Sequence, residues 1–103
     1  MESLLHELIG APVVRFETVE DYWQLVINES VISIMNPFVV RGASGHQASL
    51  SAGAVLQEVR ETDDSFTFTF SDGTKLTIDL RDEAYVGPEA FVYHKPDGTT
   101  VVW

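Results

Sequence analysis

The chain contains no cysteine, so neither a disulfide framework nor a thiolate metal site is open to it. Basic residues are scarce: six Lys and Arg stand against sixteen Asp and Glu, a net charge of −10. Such a field repels phosphate backbones and anionic lipid surfaces, so no nucleic acid and no membrane is expected as a partner. It favours a basic protein or a cation. Long apolar runs are missing too. The opening MESLLHELIG carries acids where a secretory signal needs basic residues, and His6 and Glu7 interrupt its apolar stretch. Neither a signal peptide nor a membrane span fits, and the expected location is cytoplasmic. Metal and nucleotide motifs are lacking as well. There is no D-x-D-x-D-G loop, His6-Glu7 has no second histidine to complete H-E-x-x-H, and the glycine loop lacks the Lys-Ser/Thr ending of a P-loop. No cofactor is expected.

What remains is an ordinary globular composition, with 45% apolar and 21% charged residues in 103. That suits one domain, residues 1–103, with a single core. Ser3 is placed to cap a short first helix. Leu4, Leu5, Leu8 and Ile9 fall on one helical face, and Gly10 and Pro12 end it. VVRFETV (13–19) then reads as a strand. YWQLVIN puts Trp23, Leu25 and Ile27 on one face, and VISIM does the same with Ile32 and Ile34. Asn36-Pro37 is a break, with FVV beyond it as a short strand.

After the loop RGASGHQAS (41–49) the chain starts over. Gly53-Ala54 repeats Gly10-Ala11, Val59 stands opposite Phe16, and Asp63-Asp64 stands where Glu20-Asp21 stood. Phe66, Phe68 and Phe70 replace Trp23, Leu25 and Ile27, all at an offset of 43 residues. The turn at Asp72-Gly73 is one residue longer than its counterpart, after which Leu76 and Ile78 match Ile32 and Ile34. Two similar three-stranded antiparallel meanders are therefore expected, within 1–40 and 50–81. AFVYHK and TTVVW flank Pro96-Asp97-Gly98 and add a C-terminal hairpin over 88–103. The fold class is α+β, mainly antiparallel β: seven or eight strands in a curved sheet or partial barrel with a short N-terminal helix. The outward positions of the second meander are polar, but Tyr22, Val26, Val31 and Met35 of the first are not. A covering element is expected there, the leucine-faced helix or else a partner or a second copy of the chain.

The candidate sites are few. Glu20-Asp21 and Asp63-Asp64 sit at equivalent turns, with Glu17, Glu58 and Glu61 close in sequence. A pseudo-twofold arrangement would gather them into a negative patch for a basic partner or a hard cation. His46 in the glycine loop and His94 beside the last turn, with Glu89, are the residues available for acid–base or metal chemistry. GASGH (42–46) is not a nucleophile elbow, since His46 stands where the second glycine belongs. Tyr85, Phe91, Tyr93 and Trp103 are expected either to fill the core or to line a groove beside Gly87-Pro88-Glu89.

The run from Ser65 to Trp103 contains a strand, SDG, TKLTIDL, then GPEAFVYH and a terminal VVW. It resembles a pattern in small uncharacterised bacterial proteins and, more loosely, small acidic immunity proteins that protect a cell from a neighbour's toxin. The resemblance spans the last third of the chain and rests on turns and core positions, so it transfers no functional residue. It implies a cytosolic protein of bacterial type that binds a partner. The function expected from the residues is accordingly a protein-binding module that offers Glu20, Asp21, Glu61, Asp63 and Asp64 to a basic protein partner. The alternatives are a self-associating subunit, a homodimer through Tyr22, Val26, Val31 and Met35, and a small metal-binding or hydrolytic domain using His46, His94 and Glu89.

Overall fold

Strict alternation makes strands wherever one face can be buried. In SFTFTF the three phenylalanines are fully buried while Ser65, Thr67 and Thr69 stay half-buried. The computed structural model describes residues 4–103 and contains nine strands among them. They are β1 (Val13–Val19), β2 (Tyr22–Ile27), β3 (Ser30–Ile34), β4 (Phe38–Arg41), β5 (Leu56–Glu61), β6 (Ser65–Phe70), β7 (Lys75–Asp79), β8 (Phe91–His94) and β9 (Thr100–Val102). All neighbours pair antiparallel, in two sheets ordered β1-β2-β3-β8-β9 and β4-β7-β6-β5.

Three expectations are corrected. The sheet does not curl into a partial barrel, because the chain divides its strands between two sheets joined at one corner by a single antiparallel bridge, Pro12 to Val55. There are nine strands rather than seven or eight, since FVV and both strands of the last hairpin are each paired. The N-terminal helix is only a five-residue 3-10 turn, Leu4–Leu8, and no α-helix occurs among the described residues. So short a segment has no intrinsic helical stability and takes its shape from what it packs on. Leu5 and Leu8 plug the core, the Gly10 N–H donates to the Leu56 carbonyl at 2.7 Å, and Ile9 remains 41% exposed. The turn packs on β5, so it does not cover the outer face of the first meander. Ser3, the expected cap, lies outside the described residues.

Hydrogen bonds reveal a pseudo-twofold axis at the Pro12–Val55 bridge. Gly10 N–H donates to Leu56 and Gly53 N–H to Val13; Val13 N–H donates to Ala54 and Leu56 N–H to Ala11. Each bond has its mate at an offset of 43 residues with the two halves exchanged. Gly10 and Gly53 share a left-handed φ, +96° and +93°, a conformation costly for any residue with a Cβ. The register shifts once in β1, at Val14, and once in β5, at Gln57, which are again 43 residues apart.

The halves are interlocked. The strand that follows the first meander, β4, leaves it to pair with β7 of the second, with Phe38 opposite Ile78 and Val40 opposite Leu76. The strand that follows the second, β8, pairs with β3 of the first, with Phe91 opposite Ile34 and Tyr93 opposite Ile32. Phe38 therefore corresponds to Phe91 and Val40 to Tyr93, an offset of 53 residues. The same offset carries the loop 42–50 onto the last hairpin. Gly42 N–H donates to His46 as Lys95 N–H does to Thr99, both at 2.8 Å, and Gly45 and Gly98 have φ of +85° and +91°. The core lies between the sheets, filled by side chains such as Leu25, Ile32, Phe68 and Tyr93, each no more than 1% exposed.

Candidate functional site

The β5–β6 turn is built by Thr62, whose hydroxyl oxygen accepts from the N–H groups of Asp64 and Ser65. This points Asp63 and Asp64 outward. The Leu80 N–H donates to the Asp64 carbonyl at 2.8 Å, which brings the end of β7 and the short turn Asp82–Ala84 alongside. Asp63, Asp64, Asp82 and Glu83 thereby line one surface hollow of about 350 Å³ with Leu80 and Arg81. Arg81 is already engaged: its guanidinium grips the Asp79 carboxylate through Nη2 at 2.7 Å and Nε at 3.0 Å. That grip holds the Asp79 carboxyl below its ordinary range and raises the guanidinium's. A second groove shares Asp64 and Arg81 and runs on past Pro37, Phe38 and Val39, where Val39 is 49% exposed.

Glu20 and Asp21 do not join this hollow. They turn β1 into β2 in exposed positions, Glu20 with φ of +56°. Because Pro12 and Val55 pair antiparallel, β1 and β5 leave the bridge in opposite directions and carry their turns with them. Glu61 is drawn elsewhere again, its Oε1 accepting from the Trp103 indole N–H at 3.4 Å. The histidines are equally dispersed. His46 is exposed in the loop after β4, whereas His94 lies on β8 with Nε2 3.2 Å from the Ser33 hydroxyl. Glu89 is half-buried before β8. No three His, Asp or Glu side chains among the described residues converge in a metal-binding arrangement.

The late aromatic residues pack rather than line a groove. Phe91 and Tyr93 are buried, and Trp103 stacks on Phe91 with centroids 4.4 Å apart and planes 10° from parallel, while meeting Phe66 edge-on at 5.8 Å. Tyr93 also takes part in a small polar cluster. Its hydroxyl donates to the Glu7 carboxylate, to which the Lys95 ammonium also comes within 3.4 Å. The Tyr93 hydrogen bond, helped by Lys95, lowers the Glu7 carboxyl's pKa. Burial, together with the Glu7 contact, pushes the Tyr93 phenol up to about 12.

Unforeseen from the sequence is a cavity of about 580 Å³ at the end of the first meander, walled by Phe16, Trp23, Phe38, Val40 and Leu50 with Arg41 at its polar side. Trp23 meets Phe16 at 4.8 Å and Phe38 edge-on at 5.6 Å. Only the 53-residue correspondence could have flagged it, since each ring by itself reads as core.

Comparison with models of protein families, with curated proteins and with solved structures finds no match. No helix among the described residues is long and apolar enough to cross a membrane.

Proposed function

We propose that the protein is a binding module that receives a basic segment of another protein in the hollow of Asp63, Asp64, Asp82 and Glu83. The observation that carries this reading is the local charge balance. Four carboxylates line the hollow against one cation among the described residues, Arg81, which is gripped by Asp79 and lies 3.6 Å from Glu83. Asp63, Asp64 and Asp82 are thus left without an ion-pair partner among the described residues. The adjoining groove at Pro37, Phe38 and Val39 offers an apolar neighbour, so the favoured segment places an aliphatic residue next to Lys or Arg. A toxin neutralised through its basic surface is one concrete form of such a partner. Charge steering would dominate encounter, as expected for a protein of net charge −10.

The test is calorimetric titration with a Lys/Arg-rich peptide carrying one leucine, against the protein and against an Asp63→Asn, Asp64→Asn, Asp82→Asn, Glu83→Gln variant. Binding should weaken about tenfold or more in the variant and fall steeply with salt. Equal affinity in the two proteins, or indifference to salt, contradicts the reading.

A second reading is favoured by the outer face of the five-stranded sheet. It carries Tyr22, Val31 and Met35 partly buried, with Val14 45% and Val102 53% exposed, whereas Val26, expected in the same patch, is buried at 6% and so offers a partner little surface. The corresponding face of the other sheet carries Thr67, Thr69, Lys75 and Thr77. A homodimer through the apolar face follows. Light scattering that shows a monomer at high concentration removes it.

A further inference from the structure

The two halves are related position by position, yet one corner is filled and its counterpart is open. In the filled corner the chain's own Trp103 lies flat on Phe91, edge-on to Phe66, and its strand is zipped to β8. Two bonds close that zip: Ala90 N–H to the Trp103 carbonyl at 2.7 Å and Trp103 N–H to the Phe91 carbonyl at 3.0 Å. In the open corner Phe38 corresponds to Phe91, Trp23 to Phe66 and Leu50 to Trp103. The edge-on pair recurs, 5.6 Å between Trp23 and Phe38 against 5.1 Å between Phe66 and Phe91. The indole does not; a third ring comes instead from Phe16, where the other half has Val59, and it meets Phe38 edge-on at 5.7 Å without taking the stacked place of Trp103. Leu50 offers a smaller side chain, and Pro37, standing in place of Ala90, has no N–H to donate. Among the described residues Leu50 makes no bond to the Phe38 carbonyl. The unfilled space is the cavity of about 580 Å³, a size suited to a small organic ligand.

Its charge is the inverse of the protein's. Among the described residues no acidic side chain lines this cavity, and the one charged wall residue is Arg41. Arg41 makes no ion pair among the described residues. It is anchored by Nη1 donating to the Gly45 carbonyl at 3.3 Å, which leaves the rest of the guanidinium for an anion. We infer that this cavity binds a planar aromatic carboxylate, its ring seated against Phe38 in the manner of Trp103 on Phe91 and its carboxylate held by Arg41. The occupant is a small molecule with an indole-sized ring on a short acidic arm. The site shares no lining residue with the acidic hollow, although Phe38 and Val39 also line the groove beside that hollow.

Three probes test this by amide NMR titration of the full chain: indole-3-acetate, indole and tryptamine. Indole-3-acetate should give saturable shifts centred on Phe16, Trp23, Phe38, Ala48 and Leu50, with affinity roughly fivefold above indole and tryptamine weakest, as for one partly exposed ion pair. Leu50→Trp supplies the missing ring from the chain itself and should abolish binding. Arg41→Gln should erase the preference for the acid while keeping that for the ring. The inference is overturned if millimolar indole-3-acetate gives no saturable shifts or gives them elsewhere. It is equally overturned if a folded Leu50→Trp variant binds as tightly as the parent. Because the parent titration alone can refute the site, an unfolded variant does not shelter it.

Discussion

Tyr93 shows how one side chain joins the two ends of the chain. Its ring is 1% exposed in the core, and its hydroxyl reaches Glu7 in the N-terminal segment. The folded phenol titrates at about 12, above the ordinary value near 10. Its contribution to stability is therefore complete below about pH 10 and is lost as pH rises from there toward 12. Glu7 behaves in the opposite sense. Its carboxyl is lowered on folding, so its contribution is present above the usual carboxylate range and is lost as pH falls through it. Tyr93→Phe should cost about 1 kcal/mol at neutral pH, less than is usual for a bond to a charged group because Glu7 is half exposed. It should also flatten the stability profile at both extremes. Chemical denaturation at several pH values checks this, and an unchanged alkaline slope would refute it. Nothing in the sequence announces the pair, because 86 residues separate Glu7 and Tyr93. Patterns expose which face is apolar, not which distant polar group meets it.

At the scale of elements, the strands were legible and their partners were not. Period-two alternation places β6 and β7, each with one buried face, and also β2 and β3, although consecutive residues such as Leu25–Ile27 and Ile32–Ile34 are buried there. The same pattern is silent about which neighbour a strand pairs with, so the passage of β4 and β8 into the opposite meanders could not be read. The leucine stripe at the N-terminus misled for a related reason: Leu5 and Leu8 are buried, but by plugging the core from a single 3-10 turn. Nor was the open corner visible. Connections of unequal length shift the offset from 43 to 53 residues, hiding the match of Leu50 with Trp103. Pro37 tests this correspondence. Pro37→Ala restores the donor that Ala90 supplies in the other half, so the segment 47–50 should zip against β4 as β9 does against β8. Amide exchange at Ala48 and Leu50 should slow by about fivefold, the value of one net hydrogen bond. Unaltered exchange would mean that Leu50, not the proline, keeps the corner open.

At the scale of the molecule, the acidic turns show what pseudo-symmetry does and does not gather. The axis at Pro12–Val55 relates Glu20-Asp21 to Asp63-Asp64, yet the two turns depart from it in opposite directions. Only the second is enriched by a neighbour, because the chain after β7 adds Asp82 and Glu83 before β8 begins, whereas β4 follows β3 after three residues. Twofold repetition thus built the frame, and unequal connections made one end acidic and left one corner open. The exchange of fourth strands is what holds these unequal ends on a common frame. Cross-strand nuclear Overhauser contacts in solution test it directly. The account predicts contacts between Ser33 and Val92 and between Val39 and Thr77; pairing of β4 with β3, or of β8 with β7, would contradict it.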